Sequence, residues 1–146
     1  MAQSIAAAPA RVATGAVVSK DGTTIGYRRL GEGPGLIVLH GAMESSGSHL
    51  QLAEALAESF TVYLPDRRGR GMSGPYPARY SVSTDIEDMD ALLAETGARY
   101  VFGRELGRAH LAARCAGTAG HPKGRHLRAA ASDRRLDIGC AHAALR

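Results

Sequence analysis

Every aromatic residue and every valine of this chain lies before residue 104. The 146 residues include five Tyr, two Phe and no Trp. Because aromatic and β-branched side chains fill buried cores and favour strands, a packed sheet is expected only where they occur. Residues 104–146 are dominated by Arg, Ala, Gly and His, with Thr118 and Ile138 as their β-branched residues. We therefore expect a domain within residues 12–103. Residues 104–146, the tail, are expected to be disordered or irregular and without a strand.

The charge of the chain is divided at the same point. The formal net charge is +4. The tail holds eight Arg and one Lys against three acidic residues, a net charge of +6, so the rest of the chain is slightly acidic. A basic tail of this kind can contact RNA or DNA through phosphate charge. Because it has no aromatic side chain for bases to stack on, we expect no nucleic acid partner.

The composition excludes several classes of protein. Two Cys rule out a disulfide scaffold, and the Cys and His of the tail lack metal-ligand spacing, so no metal site is expected. No apolar run approaches the roughly 18 residues that a membrane helix needs. The first residues lack the basic segment of a secretory signal. The expected location is cytoplasmic, without a membrane partner.

The first 103 residues show an order of strands and helices typical of an α/β protein. Two β-prone runs, residues 11–19 and 23–30, are joined by Asp21-Gly22, a strong hairpin signal. The apolar, β-branched run at residues 36–39 fits a strand buried on both faces of a parallel sheet. The remaining elements are a helix at residues 48–59, a strand at 60–64, a helix at 84–97 and a strand at 99–102. This alternation predicts a mainly parallel sheet that ends at the last of these strands.

The second helix carries four closely spaced acidic residues. Thr84 and Glu87 fit a capping box at its start, and Gly97 fits the position after its last turn. Carboxylates in a first turn interact favourably with the helix dipole. We therefore expect a solvated face rather than acid-base chemistry for these four residues, Asp85, Glu87, Asp88 and Asp90.

Three segments together resemble the α/β-hydrolase superfamily of serine type. Leu36-Ile-Val-Leu-His40-Gly41 resembles its strand and His-Gly segment, and residues 66–74 resemble its Asp-x-Arg-Gly-x-Gly-x-Ser loop. Tyr100-Val-Phe-Gly103 resembles the strand that leads to the nucleophile elbow. The resemblance covers residues 12–103. It implies the N-terminal half of an α/β-hydrolase domain, an incomplete fold with a hairpin followed by alternating strands and helices.

The resemblance also implies roles for the first strand-end segment. The backbone N–H of Ala42, after His40-Gly41, stands where the family places one donor of the oxyanion hole, the group that stabilises charge on a carbonyl oxygen. His40 is not the triad histidine of the family. It is expected to be a packing and hydrogen-bonding residue.

The second segment is implied to be structural. Asp66 and Arg68 are expected to brace the loop through a charge-assisted bond, and Ser73 completes the motif. Tight backbone turns are expected at Gly69, Gly71 and Gly74. For the arginine run, Arg67, Arg68 and Arg70, a solvated loop is preferred over a phosphate contact.

The nucleophile elbow of the family, Gly-x-Ser-x-Gly, is replaced here by Gly103-Arg-Glu-Leu-Gly107. Glu105 occupies the nucleophile position, and its longer side chain would overshoot the geometry of attack. No catalytic residue is therefore expected in this reading frame. The resemblance implies an ancestral, cofactor-free hydrolysis of a small ester-like substrate, which this chain would not perform.

The composition of the tail is typical of a GC-rich gene read out of frame. Back-translation of Arg104-Glu-Leu-Gly107, read one base later, permits Ala-Ser-Ser-Gly, which restores the elbow after Gly103. The same shift over residues 121–131 permits Ile-Arg-Lys-Val-Val-Ile-Tyr-Glu-Pro-Pro-Leu, a strand followed by a loop. The hypothesis is a hydrolase N-terminal part with a frameshifted tail. The alternative is a non-catalytic, hydrolase-like binding protein with a degenerate elbow.

Overall fold

The computed structural model describes residues 11–103 and Arg128–Ala129. Strands β1 (Ala13–Val18) and β2 (Thr24–Leu30) form an antiparallel hairpin. In its turn, the Asp21 carboxylate accepts the Thr23 N–H at 3.0 Å, and Gly22 has a φ of 87°, a value that favours glycine. The hairpin predicted from Asp-Gly is confirmed.

The other strands extend this hairpin into one mixed sheet. They are β3 (Gly35–Leu39), β4 (Thr61–Pro65), β5 (Tyr100–Gly103) and β6 (Arg128–Ala129), and the strand order is β1-β2-β4-β3-β5-β6. The pair β2–β4 is antiparallel, whereas β3 runs parallel to both β4 and β5, and β5 runs parallel to β6. The predicted order of elements and the mainly parallel sheet are confirmed.

The short strand β6 corrects one expectation. The tail was expected to have no strand, and the sheet was expected to end at β5. Instead, Arg128 lies opposite Tyr100 and Ala129 opposite Val101 in a parallel register. Ladder hydrogen bonds use backbone groups that every residue other than proline carries, so a segment poor in strand-forming side chains can still pair.

The helices differ from their predicted bounds. A 3-10 turn at Ser46–His49 precedes α1 (Leu50–Leu56), so the first helix is shorter than expected. Helix α2 (Val82–Thr96) begins before Thr84, with Ser81 in extended conformation as its N-cap. The capping box at Thr84 is therefore wrong. The predicted end is confirmed, since Gly97 has a φ of 64°.

The two helices pack on opposite faces of the sheet. Successive residues of β3 point to alternate faces, and this strand is buried on both, as predicted. On the α2 face, the core consists of Val17, Ile25, Ile37, Leu39, Met89, Leu92, Leu93, Ala98 and Val101. On the α1 face, it consists of Leu30, Leu36, Val38, Ala53, Ala57, Val62 and Leu64. Among the described residues, no helix has the length and apolarity to cross a membrane.

Candidate active site

The loops after β3 and β4 meet at one edge of the sheet, because these strands are parallel neighbours. The Arg67 N–H donates to His40 Nε2 at 3.0 Å, and Arg70 Nη1 donates to the Glu44 carbonyl at 2.9 Å. The Ser46 N–H donates to Asp66 Oδ1 at 2.7 Å. Three hydrogen bonds therefore join the loop after β3 to the loop after β4.

His40 lies at the end of β3 with only 1% of its surface exposed. Since Nε2 accepts a backbone N–H, the ring proton sits on Nδ1, which donates to the Gly41 carbonyl at 2.8 Å. Burial lowers the pKa of His40 below the usual 6.5, although the bond to Gly41 opposes this. The imidazole is thus held neutral, as one tautomer, by the backbone on both sides of it.

Ala42, the candidate oxyanion donor, comes two residues after His40. Gly41 is buried, Ala42 is partly buried, and Met43 is 92% exposed, so the segment emerges from the sheet at this point. The Gly41 N–H donates to Glu44 Oε2 at 2.7 Å, and His49 Nε2 lies 3.0 Å from the same oxygen. Sequence reasoning missed Glu44 and His49. The available signal was a carboxylate three residues after a glycine in a turn.

Asp66 organises the loop after β4. Its buried carboxylate accepts the N–H groups of Ser46 and Met72, the latter at 3.1 Å, and lies 3.6 Å from Arg28 Nη1. Burial raises its pKa, but these bonds outweigh burial, and the pKa of Asp66 is lowered from its usual value. Ser73 Oγ accepts the Gly26 N–H at 2.9 Å and donates to the Asp66 carbonyl. An ionised carboxylate therefore ties this loop to its surroundings.

Arg68 is fully buried and links three parts of the chain. Its guanidinium forms two hydrogen bonds of 2.7 Å to the Asp88 carboxylate on α2. Two more, of 2.6 and 2.9 Å, reach Asp21 in the hairpin turn, and a fifth reaches Thr23 Oγ1 at 2.7 Å. These bonds hold the pKa of Asp21 well below its usual range and raise that of Arg68. All five guanidinium donors are satisfied.

The arginine run is not a solvated loop, which corrects the expectation for Arg67 and Arg68. Only 10% of the Arg67 side chain is exposed, and its Nη2 lies 3.1 Å from Asp85 and 2.9 Å from the Tyr80 hydroxyl. Asp66 and Arg68 also do not pair with each other, since each has its own partners. A guanidinium offers five donors in a planar fork, so it satisfies carboxylates where water is excluded.

The expectation of a solvated face for the acidic residues of α2 is also wrong, because two of them pair with arginines. Asp85 and Asp88 were expected on a solvated face, yet they are 8% and 6% exposed. They meet the two buried arginines described above. Tyr80 donates its hydroxyl hydrogen to Asp85, and burial together with this carboxylate raises the pKa of Tyr80 to about 12.

Position 105, where the elbow is expected, lies outside the described residues, as do the Cys and His residues of the tail. Gly103 pairs with Leu39 at the ends of β5 and β3, so the chain leaves β5 at the same edge as the two loops. Within residues 11–103, no group of His, Cys, Asp and Glu could hold a metal ion.

Known proteins share this arrangement. Residues 34–102 match a family model described as alpha/beta hydrolase fold. An alpha/beta hydrolase from Sphaerobacter thermophilus is 40% identical with a TM-score of 0.66, over 70% of this chain and 40% of its own. A laboratory-evolved potato epoxide hydrolase is 26% identical with a TM-score of 0.66, over 74% of this chain and 36% of its own. Uncharacterized proteins of Mycobacterium tuberculosis and Mycobacterium bovis are 37% identical over 76 residues, 49% of this chain and 22% of theirs.

The strand order and the strand-end loops define an α/β protein with its candidate site at the carboxyl edge of the sheet. Residues 34–102 match the α/β-hydrolase family model, and the described residues form the N-terminal part of the α/β-hydrolase fold. It spans 22% of the length of the mycobacterial relatives and 40% of the Sphaerobacter enzyme.

Replacing Arg68 with Met tests the buried ion cluster. Arg68→Met leaves the Asp88 and Asp21 carboxylates without their guanidinium, so the free energy of unfolding should fall by about 3–5 kcal/mol. Arg29→Met, at an exposed position of β2, removes the same charge and should change it by less than about 0.5 kcal/mol. Urea denaturation followed by circular dichroism measures both. Equal effects of the two substitutions would show that the cluster does not stabilise the fold.

Two glycines with positive φ test the packing of the loop after β4. Gly71 has a φ of 46° and Gly97 a φ of 64°, so alanine at either costs about 1–2 kcal/mol of backbone strain. A Cβ at Gly71 would also collide with the Asp66 carboxylate, whereas at Gly97 nothing lies within 4 Å. Gly71→Ala should therefore destabilise the chain by about 1–3 kcal/mol more than Gly97→Ala in thermal or urea unfolding. An equal loss would mean that the loop moves freely away from Asp66.

Proposed function

We propose that this chain derives from a serine hydrolase that transfers the acyl group of a small ester-like substrate to water. One observation carries the proposal. The turn containing His40, Gly41 and Ala42 is fixed at the end of β3, beside the end of β5, where the superfamily places its nucleophile. This placement would bring the backbone N–H of Ala42 next to a side chain of the residues that follow Gly103.

The ancestral chemistry assigns distinct tasks to these positions. A serine hydroxyl after β5 attacks the substrate carbonyl, a histidine accepts its proton, and the tetrahedral oxyanion is held by backbone N–H groups. One donor of this kind is worth about 3 kcal/mol in the transition state. Ala42 is the candidate for that donor. The other acyl-transfer groups would come from later in a full-length chain.

The printed sequence has Glu105 at the nucleophile position. A carboxylate needs no base to become a nucleophile, but the longer side chain of Glu displaces the reacting oxygen from the position that attack requires. The proposal is therefore that this chain has no hydrolase turnover. Residues 12–103 are what remains of the hydrolase domain, and the tail is a sequence read in the wrong frame.

The genetic code sharpens this proposal. Glu codons are GAA and GAG, and every Leu codon begins with C or T. Read one base later, position 105 can only be Ser or Asn, because the shifted codon takes its first two bases from Glu105 and its third from Leu106. Ser is the nucleophile that the elbow motif requires. With the Glu codon GAG, the single shift therefore places Ser at the one position that contradicts the family pattern.

The same shift separates two reaction types. Several similar structures are epoxide hydrolases, including the potato enzyme. Some members of the superfamily carry aspartate instead of serine in the elbow, and Asp is not encoded at position 105 by the shifted reading. The serine type is therefore favoured for the ancestor. We also propose that the protein is cytoplasmic and has no nucleic acid partner.

The tail supports the shift at a second place. One base later, residues 124–127 permit the run Val-Val-Ile-Tyr. A β-branched run is the usual content of a parallel strand beside β5. The printed residues lack such side chains.

A fluorophosphonate probe, which labels activated serines covalently, tests the proposed function. The chain in its present reading frame should remain unlabelled, since Glu105 stands at the position of the elbow serine. A version whose gene is read one base later from codon 104, and extended until that frame closes, should be labelled at position 105. Alanine at that position of the shifted version is the control and should abolish labelling.

Labelling of the printed chain at a single serine would contradict the absence of turnover. If the shifted version folds but stays unlabelled, the serine-hydrolase ancestry is wrong. The non-catalytic binding protein would then be the better account.

A further inference from the structure

The peptide group between Gly41 and Ala42 has a fixed direction. Its carbonyl accepts the hydrogen on His40 Nδ1 at 2.8 Å. A trans peptide is planar, and its N–H points away from its C=O. The bond from His40 therefore also sets the direction of the Ala42 N–H, which points away from the buried imidazole.

The peptide group before Gly41 is fixed independently. Its N–H donates to Glu44 Oε2 at 2.7 Å. Glycine has more conformational freedom than any other residue, so a donor that follows it would be poorly oriented without such restraints. Here both polar groups of Gly41 are held, one by a neutral imidazole and one by a carboxylate.

Glu44 is itself anchored at two points. His49 Nε2 lies 3.0 Å from the oxygen that holds Gly41, and His49 is buried at the start of α1. Arg70, from the loop after β4, donates to the Glu44 carbonyl at 2.9 Å. The side chain and the backbone of Glu44 are thus fixed by two different elements. Its carboxylate is a defined support and not a freely rotating surface group.

We infer that His40 and Glu44 are positioning residues that orient the Ala42 N–H toward the carbonyl oxygen of an acyl substrate, by holding the two peptide groups that flank Gly41. This inference rests on the proposed function, since it needs Ala42 as the oxyanion donor. Neither side chain contacts the substrate. Each acts through the Gly41 backbone.

The charge of Glu44 and its hydrogen bond have opposite effects on an oxyanion. The negative charge repels a nearby anion, whereas the hydrogen bond orients the donor that binds it. Glu44→Gln removes the charge and keeps an oxygen that accepts the Gly41 N–H. Glu44→Ala removes both. A comparison of these two variants therefore isolates the positioning effect, because they carry the same net charge.

The experiment follows the backbone amide NMR signals of the isotopically labelled full chain during titration with sodium acetate, whose carboxylate mimics the oxyanion. Acetate should shift the Ala42 amide signal in the parent chain and in Glu44→Gln. Glu44→Ala should bind acetate about threefold or more weakly than Glu44→Gln, the factor expected for losing one restraining hydrogen bond. Glu54→Gln and Glu54→Ala, at an exposed position of α1, are the charge-matched controls and should equal the parent.

Glu44→Asp gives a second, independent comparison, since it keeps the charge but shortens the reach to Gly41. It should bind acetate more weakly than the parent. This comparison replaces that of Glu44→Gln with Glu44→Ala if Glu44→Ala fails to give the spectrum of a folded protein. Equal acetate affinities in Glu44→Gln and Glu44→Ala, or in Glu44→Asp and the parent, overturn the positioning role alone. If acetate leaves the Ala42 signal unmoved in both the parent and Glu44→Gln, the oxyanion role of Ala42 in the proposed function fails, and the inference fails with it.

Discussion

One buried guanidinium, that of Arg68, connects the parts of the chain from which the strand-end site is built. It joins the hairpin turn through Asp21, the second helix through Asp88 and the loop after β4 through its own backbone. Burying the Arg68 and Asp88 charges away from water is costly, and their hydrogen bonds offset that cost. Hairpin, loop and helix must therefore be in place together. The position of the loop then fixes the His40 ring, since the Arg67 N–H is its donor.

From this constraint the geometry of the candidate site follows in order. The Arg67 N–H leaves His40 Nε2 without a proton, so Nδ1 must donate, and the Gly41 carbonyl lies within reach. That bond sets the direction of the Ala42 N–H, which points away from the buried imidazole. The family resemblance marked Ala42 as a donor, and the contacts give the reason for its orientation. The loop rich in glycine and arginine thus fixes the His40 ring through a backbone N–H.

Much of the fold was predictable because the relevant signals are local. Asp-Gly determines a turn within four residues, and the apolar run at residues 36–39 is explained by burial on both sheet faces. The charge pairs were not predictable in the same way. Asp88 lies 20 residues from Arg68 and Asp21 lies 47 residues from it, and only the folded chain brings them together. The solvated-face interpretation failed because isolated carboxylates prefer water, whereas paired ones tolerate burial. Glu44 was missed because its partner is a backbone N–H, which has no side-chain pattern.

The nucleotide sequence encoding residues 103–146 tests the central claim most directly. That claim is a hydrolase N-terminal part followed by a tail in the wrong frame. The account predicts that reading one base later keeps an open frame across the whole tail. It also predicts Gly-x-Ser-x-Gly from Gly103 onward and a β-branched run before the position of Arg128. A stop codon early in that reading, or Asn at position 105, would contradict it.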